Sequence, residues 1–276
     1  MDATFGTPIL SAPASESASA PHPRLKRPSP LLLLSEWRWV AEFGLGIATL
    51  PALMQATRGD GHPVLVLPGF LAGDVSTEFL RRYLRVLGYD SYGWELGRNL
   101  GGVQKKRAAL ADLLERIFAK TGRKVSVVGW SLGGIYARDM ALEHPEMVRQ
   151  VITLGSPFSG DARATNANEL YKLFSGESIE TTPPGELERL AGRLPVPTTS
   201  IYTRTDGIVN WHTCLNDDFD NAENIEVYAS HIGLGSNPSA LWAVADRLAL
   251  QEGSFAKFDF LGPFAYTYPK RMVLPL

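Results

Sequence analysis

The stretch Lys124-Val-Ser-Val-Val-Gly129-Trp130-Ser131-Leu132-Gly133-Gly134 decides the fold. Val125 to Val128 reads as a short buried strand, and Gly134 to Glu143 as a helix. Between them stands the pattern G-x-S-x-G. A chain that passes from strand to helix this sharply strains its central residue and crowds the neighbours. Glycines two before and two after remove the Cβ atoms that would clash. Ser131 is then held clear of the sheet, facing the positive end of the helix and the backbone N–H of Leu132. The five-residue pattern alone is weak, and its flanks make Ser131 a candidate nucleophile.

Outward from this turn, strands and helices alternate. Strands are expected at His62–Gly69, Tyr89–Trp94, Lys124–Gly129, Val148–Leu154, Thr198–Thr203 and Ile225–Ala229. Helices are expected at Val75–Leu87, Val103–Thr121, Gly134–Glu143 and Leu241–Leu250. Such alternation implies an α/β fold, a mostly parallel twisted sheet flanked by helices, with ligands binding where the strands' carboxyl ends gather. Residues 158–197 break the rhythm with helical patches at Asn168–Phe174 and Leu187–Leu194, and read as a lid-like insertion. Residues 1–30, rich in Ala, Ser and Pro, read as a disordered tail, leaving 31–276 as one domain. The segment 31–58 reads as helical. Its aromatic-rich part, 31–54, suits either packing on the core or a membrane-surface element.

Composition narrows the function. A formal net charge of -2 gives no pull toward nucleic acid. The single cysteine, Cys214, reads as a packed thiol, and no Cys/His spacing suits a metal. No P-loop or dinucleotide fingerprint occurs. Glu36 and Arg38 interrupt the apolar run at Leu31–Leu34, and Val40–Met54 is short for a span and holds Glu42 and Pro51. Neither a signal peptide nor a transmembrane helix is expected, which points to the cytoplasm.

A serine needs a base, and the base needs a partner that fixes its tautomer. Of His22, His62, His144, His212 and His231, only His231 follows a late strand, in the loop Ser230-His-Ile-Gly-Leu-Gly235. His212 is the rival. Asp206 follows the strand Thr198–Thr203 and is the candidate acid, with Asp218 as runner-up in a polar loop that also holds Asp217 and Asp220. Leu67-Pro-Gly-Phe70, after the first strand, offers a second oxyanion donor, the backbone N–H of Phe70, beside that of Leu132. Trp130, Phe158 and Trp211 are candidates for the substrate pocket, while Trp94 and Trp242 suit an acyl chain or the core equally.

Leu67-Pro-Gly-Phe, Gly129-Trp-Ser-Leu-Gly-Gly134, Leu154-Gly-Ser-Pro157, Arg204-Thr-Asp-Gly-Ile-Val209 and Ser230-His-Ile-Gly-Leu234 together resemble bacterial esterase- and lipase-like members of the α/β-hydrolase superfamily. They are also similar to lipase-like relatives of the enzyme that deacylates GPI-anchor inositol. The resemblance runs from about Pro63 to Leu250. It departs from many lipases at Pro68, where a histidine often precedes the oxyanion glycine, and at Trp130, where histidine is commoner. It implies hydrolysis of a carboxylic ester through an acyl-enzyme, without metal or organic cofactor; a small-molecule ester with an apolar, short-to-medium acyl group is the expected substrate. Acyl transfer by the same three residues, and a non-catalytic ligand-binding role on the same scaffold, are the alternatives.

Overall fold

The structure is a computed structural model and describes residues 26–159 and 185–269. Six strands among them form one sheet: β1 (Pro63–Leu67), β2 (Asp90–Tyr92), β3 (Val125–Trp130), β4 (Val148–Leu154), β5 (Thr198–Tyr202) and β6 (Ala222–Glu226). The order is β2-β1-β3-β4-β5-β6, and every pairing is parallel. Parallel strands need crossovers, which cover both faces, so β1, β4 and β5 are buried along their whole length. Alternate residues serve opposite faces. Val64 and Val66 join one core with Leu84, Ile152, Ile201 and Leu241, whereas Leu65 and Leu67 join the other with Leu113, Val127 and Tyr136.

The first face is covered by α3 (Leu50–Leu53), α4 (Asp74–Leu87) and a late helix, which is numbered below as α8, with α2 (Trp39–Ala48) packed on α4 and α8 and α1 (Pro30–Leu34) lying against Gly207. The second is covered by α5 (Val103–Thr121) and α6 (Leu132–Glu143). Two helices complete the order: α7 (Glu186–Ala191) and α8 (Pro238–Leu248). The final helix starts three residues before the expected Leu241, because Asn237 caps the amides of Ser239 and Ala240 and Pro238 sits in the first turn. The last strand also lies three residues earlier than expected. Its Glu223 and Glu226 are buried yet paired, Glu223 with Arg247, Thr199 and the Phe258 amide, and Glu226 with Arg204 and Tyr202.

The expected lid-like insertion lies, for residues 160–184, outside the described residues, as do the helix at Asn168–Phe174, residues 1–25 with His22, and residues 270–276. The described ends of the insertion are pinned: Ser159 donates its amide to the Thr213 carbonyl, and Leu194 and Val196 are in the core. Among the described residues no helix is long and apolar enough to cross a membrane.

Candidate active site

The sheet order reverses direction at β1 and β3, whose carboxyl ends lie side by side, with Leu67 opposite Gly129. That crevice is where an open parallel sheet binds ligands. Ser131 sits there between β3 and α6 with φ 54° and ψ −121°, a conformation a non-glycine residue rarely holds. The glycines make it possible. A Cβ at Gly129 would collide with the backbone of Gly133 and Gly134, and one at Gly133 with the carbonyl of Leu67. One at Gly69, after β1, would stand 3.2 Å from Ser131 Cβ and 3.8 Å from its Oγ, so the loop carrying Phe70 lies directly against the serine. As the first residue of α6, Leu132 has an N–H without an intrahelical acceptor.

Asn99 holds this loop in place. Fully buried, it donates to the Pro68 carbonyl at 2.9 Å and accepts from the Gly101 amide and the Tyr136 hydroxyl. Its own carbonyl and amide bond Leu71 and Ala72. No sequence signal marked it.

The segments after β5 and β6 bring the candidate acid, Asp206, and the candidate base, His231, together. Tyr202 pairs with Glu226, and the Val227 amide extends the ladder to the Tyr202 carbonyl. Beyond this the two loops are laced by Thr203, whose hydroxyl donates to the Ala229 carbonyl at 2.9 Å. Asp206 and His231 then meet, Oδ2 to Nδ1, at 2.6 Å. They are 3% and 5% exposed, so the contact is shielded from water. The other oxygen of Asp206 accepts the amides of Ile208 and Val209, which orients the carboxylate. Burial works to lower the basicity of His231, but the charge and hydrogen bond of Asp206, joined by the charge of Glu36, outweigh it and raise its pKa above 6.5.

The His231 ring lies beside Gly155: a Cβ there would be 3.1 Å from Nδ1 and 3.3 Å from Cε1. Gly155 follows β4 directly, and Leu154, the residue before it, pairs with Trp130 and accepts the Ser131 amide. The imidazole therefore sits over the end of the strand next to the serine. No hydrogen bond between Ser131 Oγ and the imidazole occurs in this geometry among the described residues.

The other candidates fall elsewhere. His212 is exposed, stacks on Trp211 and bonds Asn210, and Asp217, Asp218 and Asp220 are exposed. His144 lies by Glu146 at the end of α6. Trp130 donates its indole N–H to the His231 carbonyl at 3.1 Å and so braces the base loop. Trp211 packs among Tyr202, His212 and Arg204. Phe158 is fully buried under the Arg138 guanidinium, 3.9 Å from its ring centre. Trp94 is in the core, and Trp242 packs on Phe264. No described contact joins Trp211 or Phe158 to Ser131. Cys214 is buried and its thiol pKa is raised by burial, so it is a packed residue. Among the described residues no group of three His, Cys, Asp or Glu could hold a metal.

The base and acid loops have a further partner that the sequence reading missed. Glu36, in the 3-10 turn Ser35–Arg38, is 4% exposed and accepts the amides of Gly207, His231 and Ile232. The available signal was the charge interrupting an apolar run. The segment is inverted relative to an ordinary surface helix: Glu36, Arg38 and Glu42 turn inward, while every exposed residue from Leu31 to Ala48 is apolar, Trp37 being 73% exposed.

No family model matches the chain. Over 109 residues it is 31% identical to the pimeloyl-(acyl-carrier protein) methyl ester esterase of Aliivibrio fischeri, covering 38% of this chain and 40% of that protein. The corresponding protein of another strain is 32% identical over 112 residues, 39% of this chain and 41% of its own. The chain thus matches about two fifths of the length of these curated relatives. Among solved structures, Aspergillus fumigatus lipase B superposes with a TM-score of 0.54 at 21% identity, over 71% of this chain and 55% of the lipase. Mature Bacillus licheniformis lipase BlEst2 gives 0.54 at 16%, over 71% and 95%. This chain thus has the fold of these lipases and, over about two fifths of its length, shares sequence with the esterases.

Proposed function

We propose that the chain hydrolyses carboxylic esters through an acyl-enzyme, with Ser131, His231 and Asp206 as its triad. The observation that carries this is Ser131 at φ 54° on a strand-to-helix turn, against the Gly69 loop and beside the strand end that His231 overlies. Ser131 Oγ attacks the ester carbonyl while His231 Nε2 takes its proton. Asp206 keeps Nδ1 protonated and stabilises the imidazolium. The amides of Phe70 and Leu132 hold the oxyanion, worth about 3 kcal/mol of barrier per donor in comparable sites. The imidazolium then protonates the leaving alcohol, and water, activated by the same base, releases the acid. The Ser131–His231 bond forms as substrate seats, since catalytic hydrogen bonds commonly tighten only in the bound complex.

The curated relatives are named for a pimeloyl-(acyl-carrier protein) methyl ester, and the substrate we propose for this chain is likewise a carboxylic ester, with an apolar acyl part. The outward apolar face of residues 31–48, with exposed Lys26 and Arg27 at its start, favours work beside an anionic lipid surface.

The test is a series of p-nitrophenyl esters from acetate to palmitate, with fluorophosphonate labelling. Turnover is expected on short-to-medium chains, with labelling and turnover both lost in Ser131→Ala. Wild-type turnover in that variant refutes the reading. Recovery of an ester product when an alcohol is added would assign acyl transfer instead.

A further inference from the structure

We infer that Glu36 is a positioning residue for the reaction, a second carboxylate that locks the acid loop to the base loop and holds both on the N-terminal helices. The inference rests on the triad proposed above. One Glu36 oxygen, Oε1, accepts the Gly207 amide at 2.8 Å and the His231 amide at 3.1 Å, while Oε2 accepts the Ile232 amide at 3.0 Å. The first donor directly follows Asp206, and the second belongs to the base itself. A single side chain 171 and 195 residues away in sequence therefore sets their separation.

Three further observations show that the site is built around this segment. A Cβ at Gly207 would run into the Leu32 carbonyl and the Leu33 nitrogen, so glycine there admits the backbone of α1. A Cβ at Gly233 would collide with the Glu42 carboxylate, and one at Gly46 with the Ser236 carbonyl. Two flanking side chains extend the clasp. Glu42 accepts the amide and hydroxyl of Ser230, and Arg38 donates to the carbonyls of Thr205 and Ala229.

Three converging N–H donors and no acceptor suit a carboxylate, which only accepts. An amide in its place would turn its NH2 group toward these donors. The charge also reaches the imidazole. The titratable and charged groups around His231 are Asp206 on the β5 loop, Glu36, Glu42 and Arg38 on the N-terminal segment, and Cys214 behind Asp206, and the Glu36 charge favours the imidazolium. Glu36 thus serves the step in which His231 becomes positive, without touching substrate.

The experiment compares the full chain with Glu36→Gln and Glu36→Asp. In Glu36→Gln, kcat on p-nitrophenyl butyrate is expected to fall roughly 10- to 100-fold with little change in KM. The acidic limb of the rate profile moves down by about half a pH unit or more. Glu36→Asp keeps the charge but not the reach, so kcat falls while the acidic limb stays. Histidine NMR, with His231 assigned through His231→Gln, reads the same titration shift without reference to turnover. An unchanged His231 titration in Glu36→Gln overturns the inference, as does wild-type kcat in Glu36→Asp should Glu36→Gln fail to fold. If the wild-type chain lacks Ser131-dependent turnover while Glu36→Gln still lowers the His231 titration, the proposed activity falls and the Glu36 coupling stands.

Discussion

His62 Nε2 stands 2.8 Å from Ser126 Oγ, while its Nδ1 is 2.5 Å from Asp60 Oδ1, so the molecule holds an Asp–His–Ser hydrogen-bond chain apart from the proposed triad. Its His and Ser are fully buried, near the amino ends of β1 and β3, whereas Ser131 lies at their carboxyl ends. Hydrogen-bond connectivity alone does not make a nucleophile: a buried hydroxyl admits no ester, and Ser126 lies near the start of β3, away from the strand-to-helix turn. Ser126→Ala is expected to retain fluorophosphonate labelling at Ser131. It should also destabilise the chain by about 1–3 kcal/mol in urea, because His62 loses a buried partner. Loss of labelling in a folded Ser126→Ala chain would contradict this.

The same histidine sets the acid response. Burial pushes His62 down to about 4 against the pull of Asp60, with the charges of Arg149 and Arg123 helping burial. A depressed folded pKa contributes stability that is present above the unfolded value, 6.5, and is lost as the pH falls toward 4. Denaturation free energy should drop by up to about 1.4 kcal/mol per pH unit in that window, and His62→Asn should flatten the slope. An equal slope in both proteins counts against the assignment.

His231 moves the other way. Its raised pKa stabilises the fold below pH 6.5 and the gain fades as pH rises through the raised value, while turnover needs the neutral ring. The acidic limb of kcat/KM is thus expected above pH 6.5. Asp206→Asn should shift that limb downward and reduce kcat by about 10⁴-fold, since the tautomer is no longer held. A limb that stays in place would show that another group titrates.

Asn99 braces the loop that carries the proposed oxyanion donor Phe70. Asn99→Ala leaves the Pro68 carbonyl, the Gly101 amide and the Tyr136 hydroxyl without their buried partner. The expected outcome is a kcat loss of about 10-fold at near-constant KM, from displacement of the Phe70 amide. A rise in KM alone would place Asn99 in substrate binding instead.

Trp37 tests the outward face. Trp37→Asp should reduce co-sedimentation with phosphatidylglycerol-containing vesicles several-fold and leave hydrolysis of a water-soluble ester unchanged. Wild-type chain that ignores such vesicles removes the lipid-surface reading.

Periodicity made most of the sheet legible. The strands at Pro63–Leu67, Val125–Trp130 and Val148–Leu154 are apolar because helices cover both faces, so their burial is written in composition. β6 was less legible because buried Glu223 and Glu226 are satisfied by residues from other elements. The start of α8 was readable from Asn237-Pro238, a capping signal that apolar spacing overlooks.

Chain order and local chemistry alone determined the strand–turn–helix around Ser131 and made His231 and Asp206 its candidate partners, because each lies just past a strand and all parallel strands end on one side. Tertiary structure alone decided that Glu36 bridges the acid and base loops, that Asn99 holds the Gly69 loop, and that His62 and Ser126 pair out of reach of solvent. Each depends on groups far apart in the chain, and no local pattern encodes which buried donor a distant oxygen will meet.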